Sequence, residues 1–271
     1  MSTEKILLFI PGYNCEKQII RVLAQLNKEV RKYITEVIMV NNRSTDNTET
    51  AVEGFISTDN TLPITLLRND ENYGLGGSHK VAFQYAQDNG FDYVIVLHGD
   101  DQGSIKDILP LLKSGEYKNY NCCLGARFMK GSILPGYSAF RTFGNRVYNL
   151  LFGIVCGRMI YDLGSGLNMY NVNMLKSKYY IKYPDNLTFN YCMVMALQYY
   201  KQSALFFPIS WREDDQVSNV KLFSQAKRVL GMLWNYATGH KKFMEKELRE
   251  NPQKKYTAKK IFSNMRQNDE P

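Results

Sequence analysis

Tyr93-Val94-Ile95-Val96-Leu97 is an unbroken apolar run that stops abruptly at His98-Gly99-Asp100-Asp101-Gln102. A strand with one wet face alternates polar and apolar residues. This run does not alternate, so both of its faces must be covered. Such a strand sits in the middle of a sheet with helices on either side, and that requirement constrains the rest of the chain.

The neighbouring segments fit a layered α/β plan. Strands are expected at 5–11, 36–40, 63–67, 93–97 and 121–126, with helices at 15–33, after 48, at 78–87 and at 105–113. The second half is less regular. Helices are expected at 140–156, 187–201 and 220–236, and strands at 167–170 and 205–211. The order predicts a mostly parallel sheet, and ligands in such sheets bind beyond the carboxyl ends of the strands. The polar clusters lie there: Gly12-Tyr13-Asn14, Asn41-Asn42-Arg43 and 98–102. Together they predict one shared cleft.

Hydrophobic residues make up 44% of the 271, enough for a core and too many for a disordered chain. No apolar run is long enough to cross a bilayer. The N-terminal residues lack the pattern of an export signal, so cytoplasmic residence is the expectation. The five cysteines are scattered without zinc-ligand spacing and read as reduced thiols. Residues 240–271 carry nine Lys or Arg against five Asp or Glu. The expectation is a domain over 1–239 and a basic tail over 240–271, either a solvated end or a segment drawn to an anionic membrane. Nucleic acid is not the expected partner, because the remaining basic residues form no continuous patch and no known module.

Asp100 and Gln102 differ by two positions, and a bend can aim both at one cation. Mg²⁺ and Mn²⁺ prefer oxygen ligands and bind together with substrate phosphates. His98 is a candidate third ligand or a histidine satisfied at a strand end, Asp100 has an N-cap as its alternative, and Asp101 reads as an acid facing solvent. Gly74, Gly76 and Gly77 would let backbone approach a ligand, although they match no dinucleotide or nucleoside-triphosphate fingerprint. Arg127 and Arg212 each follow a strand and could fork onto phosphate oxygens.

Seven segments in order resemble family-2 glycosyltransferases of the GT-A fold, most of all the polyprenyl-phosphate (dolichyl-phosphate) mannosyl- and glucosyltransferase branch. They are Ile10–Asn14, Val40–Thr48, Asn72–Gly77, His98–Gln102, Gly125–Phe128, Asp162–Gly166 and Pro208–Glu213. The resemblance implies a Rossmann-like nucleotide-sugar fold with a central mixed, mostly parallel sheet flanked by helices. It implies a nucleotide pocket at Pro11, Tyr13 and Asn14, with Asn41 at the base or ribose and Asp46 bracing that loop. Arg43, Asn72, Gly76 and Gly99 complete the donor side. Asp100 and Gln102 would hold Mg²⁺ or Mn²⁺, with His98 where the family's first metal acid stands. Arg127 would lie near the acceptor phosphate and Ser165 in the acceptor-side turn. Arg212, Asn219 and Lys221 would close on the donor diphosphate.

The implied reaction is an inverting transfer from a nucleotide diphosphate sugar to a polyprenyl phosphate. A lipid-linked saccharide hydroxyl is the alternative acceptor, with Asp185 as the nearby candidate base. A non-catalytic glycosyltransferase-like subunit is a further alternative. Asn41 and His98 replace acids, so a bare ion should bind weakly. Asn168 stands where phosphate-acceptor relatives often carry arginine. Peripheral membrane contact and self-association are further expectations.

Overall fold

The computed structural model describes residues 4–59, 61–213 and 222–265. The chain runs β1 (Ile6–Gly12), α1 (Glu16–Ala24), α2 (Lys28–Arg31), β2 (Glu36–Asn41), α3 (Thr48–Thr58), β3 (Ile64–Asn69), α4 (Gly74–Asp88) and β4 (Tyr93–Leu97). It continues through α5 (Leu109–Ser114), β5 (Cys122–Ala126), α6 (Ala139–Cys156), β6 (Leu167–Asn171), α7 (Phe189–Tyr199) and β7 (Ala204–Pro208). α8 (Leu222–Thr238), α9 (His240–Glu245) and β8 (Ala258–Ser263) complete it.

The strands form one sheet in the order β7-β5-β6-β4-β1-β2-β3-β8. β1 pairs in parallel with β2 and β4, and β2 with β3. β6 is inserted antiparallel between β4 and β5, and β8 is antiparallel to β3. The result is a mixed, mostly parallel sheet, as expected.

The unbroken apolar strands have the expected cause. In β1, Leu7 and Phe9 enter one core cluster, while Ile6, Leu8 and Ile10 enter the other. β4 divides the same way, with Val94 and Val96 on one face and Tyr93, Ile95 and Leu97 on the other. Both faces are therefore dry, and period-two alternation would have exposed the chain to a desolvation penalty.

Three local differences from the sequence expectation follow from capping and pairing. The helix over 15–33 is interrupted, because Asn27 Oδ1 accepts the Glu29 and Val30 amides and starts α2 afresh. α4 begins at Gly74 rather than Ser78, with the Gly76 amide donating to the Asp185 carbonyl at 2.7 Å. A loop from elsewhere thus satisfies a first-turn N–H that the helix leaves open. Residues 240–265 do not stand apart, since α9 and β8 come from them and β8 closes the edge at β3. Lys259 and Lys260 are the exposed residues of that edge strand, where charge discourages further pairing.

Candidate active site

Three adjacent parallel strands each end on a residue forced into left-handed backbone. Asn14 follows β1 with φ 50°, Arg43 follows β2 with φ 66°, and Asp101 follows β4 with φ 60°. Asn and Asp adopt this region more readily than most residues, whereas Arg occupies it only when its surroundings hold it there. The first two turns are laced together. Asn14 Oδ1 accepts the Thr45 amide at 2.8 Å, and the Asn14 amide donates to Ser44 Oγ at 3.0 Å. Asp46 accepts the Thr48 and Glu16 amides, so it braces the starts of α3 and α1 together. Partial burial opposes its charge, but the Thr48 and Glu16 bonds outweigh it and hold the carboxyl below its ordinary value.

Pro11 is buried at the end of β1, while Tyr13 is 50% exposed. Asn41 is buried, and its side chain is used from within. It donates to Glu49 at 2.9 Å and accepts the Ser44 amide at 2.9 Å, while Glu49 pairs with Arg68. These bonds make Asn41 part of the loop's own framework. Asn72 is exposed, and its Oδ1 accepts from Asn42 Nδ2 and the Gly74 amide. That bond fixes the glycine segment to the end of β2.

At the end of β4, the Gly99 amide donates to the Pro11 carbonyl at 3.0 Å. A Cβ at Gly99 would lie 2.8 Å from that oxygen, so only glycine permits this approach. His98 donates its amide to the Gly166 carbonyl, and its ring packs where a Gly166 Cβ would fall. Burial pushes the imidazole down to about 4, and the Arg127 charge adds to the effect, so it is neutral at pH 7. His98 Nε2 is buried with no hydrogen-bond partner among the described residues.

Asp100 and Asp101 face different surroundings. Asp100 Oδ1 accepts the Gln102 amide at 3.2 Å, and burial pushes its carboxyl up to about 6. Asp101 does not face solvent: it is 3% exposed and pairs with both Arg21 and Arg212. Gln25 donates to its other oxygen, and Arg212 Nε reaches the Asp101 carbonyl at 2.8 Å. The left-handed turn at Asp101 is what turns adjacent carboxylates apart.

Arg127, at the end of β5, is tied to buried Asp162 by Nε at 2.7 Å and by Nη2 at 2.8 Å. Its guanidinium lies 5.1 Å from the rings of both Phe128 and Trp211. Burial disfavours its charge, but Asp162 more than offsets this and raises the arginine's pKa. Ser165 Oγ and Asn168 bond each other, and Asn168 Oδ1 also accepts the Gly125 amide. Asn168 is thereby fixed inside the fold.

The residues match Glycosyl transferase family 2 over 8–195. The chain belongs to that family. A relative of the same extent is the uncharacterized protein MJ0544 of Methanocaldococcus jannaschii, 25% identical over 84% of this chain and 99% of that protein. Among solved structures, the S. aureus TarS fragment 1–349 superposes with a TM-score of 0.55 at 17% identity, covering 77% of this chain. This chain spans 60% of that fragment's length. Mannosyltransferase PcManGT from Pyrobaculum calidifontis, in complex with GDP-Man and Mn²⁺, superposes with a TM-score of 0.55 at 16% identity over 90% of this chain and 73% of its own.

This family-2 glycosyltransferase holds Asp185 in a way the sequence did not suggest. Lys80, fully buried on α4, reaches Asp185 Oδ1 at 2.5 Å and the Tyr183 carbonyl at 2.6 Å. Tyr256 donates to the same carboxylate at 2.7 Å. Asp185 thus ties α4 to the segment before β8. Neither Lys80 nor Tyr256 was legible as a partner, because the pairs span 105 and 71 residues. The same holds for Asp162, whose only local signal is its place before Gly164-Ser165-Gly166. Asn219 and Lys221 lie outside the described residues.

The donor atoms at the end of β4 are of kinds that a divalent cation accepts. Asp100 is a carboxylate whose burial a cation would offset, Gln102 is half-buried beside it, and His98 brings an unpartnered nitrogen. Among the described residues no group of three His, Cys, Asp or Glu comes together. The donor set therefore suits an ion whose other ligands are phosphate oxygens.

Proposed function

We propose that this glycosyltransferase transfers a sugar, with inversion, from a nucleotide diphosphate sugar to a polyprenyl phosphate. The observation that carries the donor side is the row of left-handed turns at Asn14, Arg43 and Asp101, which follow three adjacent parallel strands. Nucleotide-sugar use also agrees with the GDP-Man bound by PcManGT. Tyr13 offers an exposed ring face to a base, and the braced loop 41–46 shapes the nucleoside pocket around Pro11 and Asn14. Gly99 lets the end of β4 approach the Pro11 carbonyl, and Gly76 lets α4 approach the Pro184 carbonyl.

A bound Mg²⁺ or Mn²⁺, held by Asp100 and Gln102 beside His98, would neutralise charge on the departing diphosphate. Arg212, anchored on Asp101, adds a fixed positive group at the same strand end. On the acceptor side, a phosphate oxygen attacks the anomeric carbon. The bond from that carbon to the diphosphate breaks, and its electron pair leaves with the nucleotide. A phosphate is already anionic, so no base has to remove a proton. This agrees with Asp185 being engaged by Lys80 and Tyr256. Arg127, kept charged and oriented by Asp162, positions the acceptor phosphate.

The test is direct. Purified protein with Mn²⁺, polyprenyl phosphate and a panel of UDP- and GDP-sugars should yield a glycosylated lipid with one donor. Asp100→Ala should lower the rate by about a hundredfold or more. Transfer to a saccharide hydroxyl but never to the lipid phosphate would overturn the acceptor assignment.

A further inference from the structure

We propose that the protein docks on an anionic lipid bilayer through the outer faces of α6 and α8. Phe140, Phe143, Val147, Leu150 and Ile154 follow one another at steps of three and four along α6. That spacing places them on one stripe. All are exposed, with Phe140 at 77%, Phe143 at 68%, Leu150 at 63% and Ile154 at 68%. The opposite side of α6 packs into the core through Phe152 and Cys156, so the stripe is surplus to folding. On α8, Val229, Leu233 and Tyr236 face inward, while Trp234 is 70% exposed. Ile154 lines a groove of about 400 Å³ with Tyr236 and His240, so the stripe on α6 runs up to the junction of α8 and α9. Contiguous apolar surface of this kind marks an interaction site.

Charge decides the occupant. Residues 139–159 contain Arg141, Arg146 and Arg158 and no acid. Residues 222–244 contain Lys227, Arg228, Lys241 and Lys242 and no acid. Two of these are paired from outside the segments, Arg141 with Glu213 and Arg228 with Glu250. A second copy packed on the stripe would face Arg146 with another all-basic helix, and like charges there oppose pairing. An anionic bilayer matches both features. Phe, Leu and Trp enter the headgroup boundary while Lys and Arg meet the phosphates. Among the described residues no helix is long and apolar enough to cross a membrane, so this contact lies on the surface. The inference does not depend on which acceptor the enzyme uses.

The full chain should float with vesicles of phosphatidylcholine and phosphatidylglycerol about tenfold better than with phosphatidylcholine alone, and high salt should weaken that binding. The protein has two tryptophans, and Trp211 is 5% exposed, so a blue shift in emission on vesicle addition reports Trp234. Brominated lipid should quench it, and Trp234→Phe should remove the signal. Phe143→Ser with Leu150→Ser should cut flotation by about tenfold while leaving the melting temperature unchanged. If that double variant fails to fold, quenching of the unmodified chain decides alone. Absence of flotation with anionic vesicles, or Trp234 emission unmoved by them, overturns the proposal. So does a solution dimer that the double variant dissociates without vesicle binding, which would assign the face to a second copy.

Discussion

The ammonium of Lys80 lies 2.5 Å from Asp185 Oδ1 inside the protein, with no exposed surface of its own. Burial pushes this lysine down to about 8, and the Asp185 charge only partly counters it. The folded state therefore binds the Lys80 proton less tightly than the unfolded chain. Its charge destabilises the fold below pH 8, and that penalty disappears as pH rises toward 10.5. In Lys80→Met the penalty is absent at every pH. Urea unfolding should show wild type gaining on Lys80→Met between pH 8 and 10.5, by on the order of 3 kcal/mol. A constant difference across that window would mean Lys80 does not titrate there.

Asp185→Asn separates structure from chemistry. Asparagine keeps the backbone carbonyl that accepts the Gly76 amide but weakens the hold on Lys80. Thermal stability should fall, while the rate of transfer falls by less than about tenfold. A loss of about a thousandfold in rate, with the fold intact, would instead identify Asp185 as a base acting on a hydroxyl acceptor.

Asp101 and Arg212 should respond differently to removal. Asp101→Ala leaves Arg21, Arg212 and Gln25 without their shared acceptor and should cost roughly 2–4 kcal/mol of stability. Arg212 is 45% exposed at its side chain, so Arg212→Ala should cost little stability. Both variants should weaken nucleotide affinity, measured by calorimetry with Mn²⁺ and a nucleoside diphosphate. Unchanged affinity in both would remove Arg212 from the donor site.

Arg127→Lys tests the acceptor side. A lysine cannot bond both oxygens of Asp162 while lying flat against Phe128 and Trp211. Melting should occur earlier, by about 1–3 kcal/mol. Transfer to acceptor should fall by more than the slow hydrolysis of donor falls, since that hydrolysis uses no acceptor. Equal losses in both assays would place Arg127 outside acceptor binding.

The polar strand ends were legible because their parts are local. Polar clusters following apolar strands can be read from spacing alone, and the three left-handed turns fall in those clusters. Individual roles within the clusters were less legible. Asp100 and Asp101 are adjacent and chemically identical, yet one receives a single amide and the other two guanidinium groups. Asn41 reads as a ligand contact by its place in the chain, and spacing gives no sign that its side chain also bonds Glu49 and the Ser44 amide. The basic excess after residue 239 reads as a tail because edge strands and tails share the same lysine-rich composition.

By itself, the sequence determined which segments are strands covered on both sides and where each one stops, since apolar runs and turn residues act on their own neighbours. Only the tertiary structure decided that β6 enters antiparallel beside β4, that β8 returns to β3, and that Lys80 meets Asp185 and Tyr256. Those choices depend on which distant surfaces bury each other best and which buried charges find partners. Hydrophobic periodicity records that a face is buried, and it carries no label for what buries it.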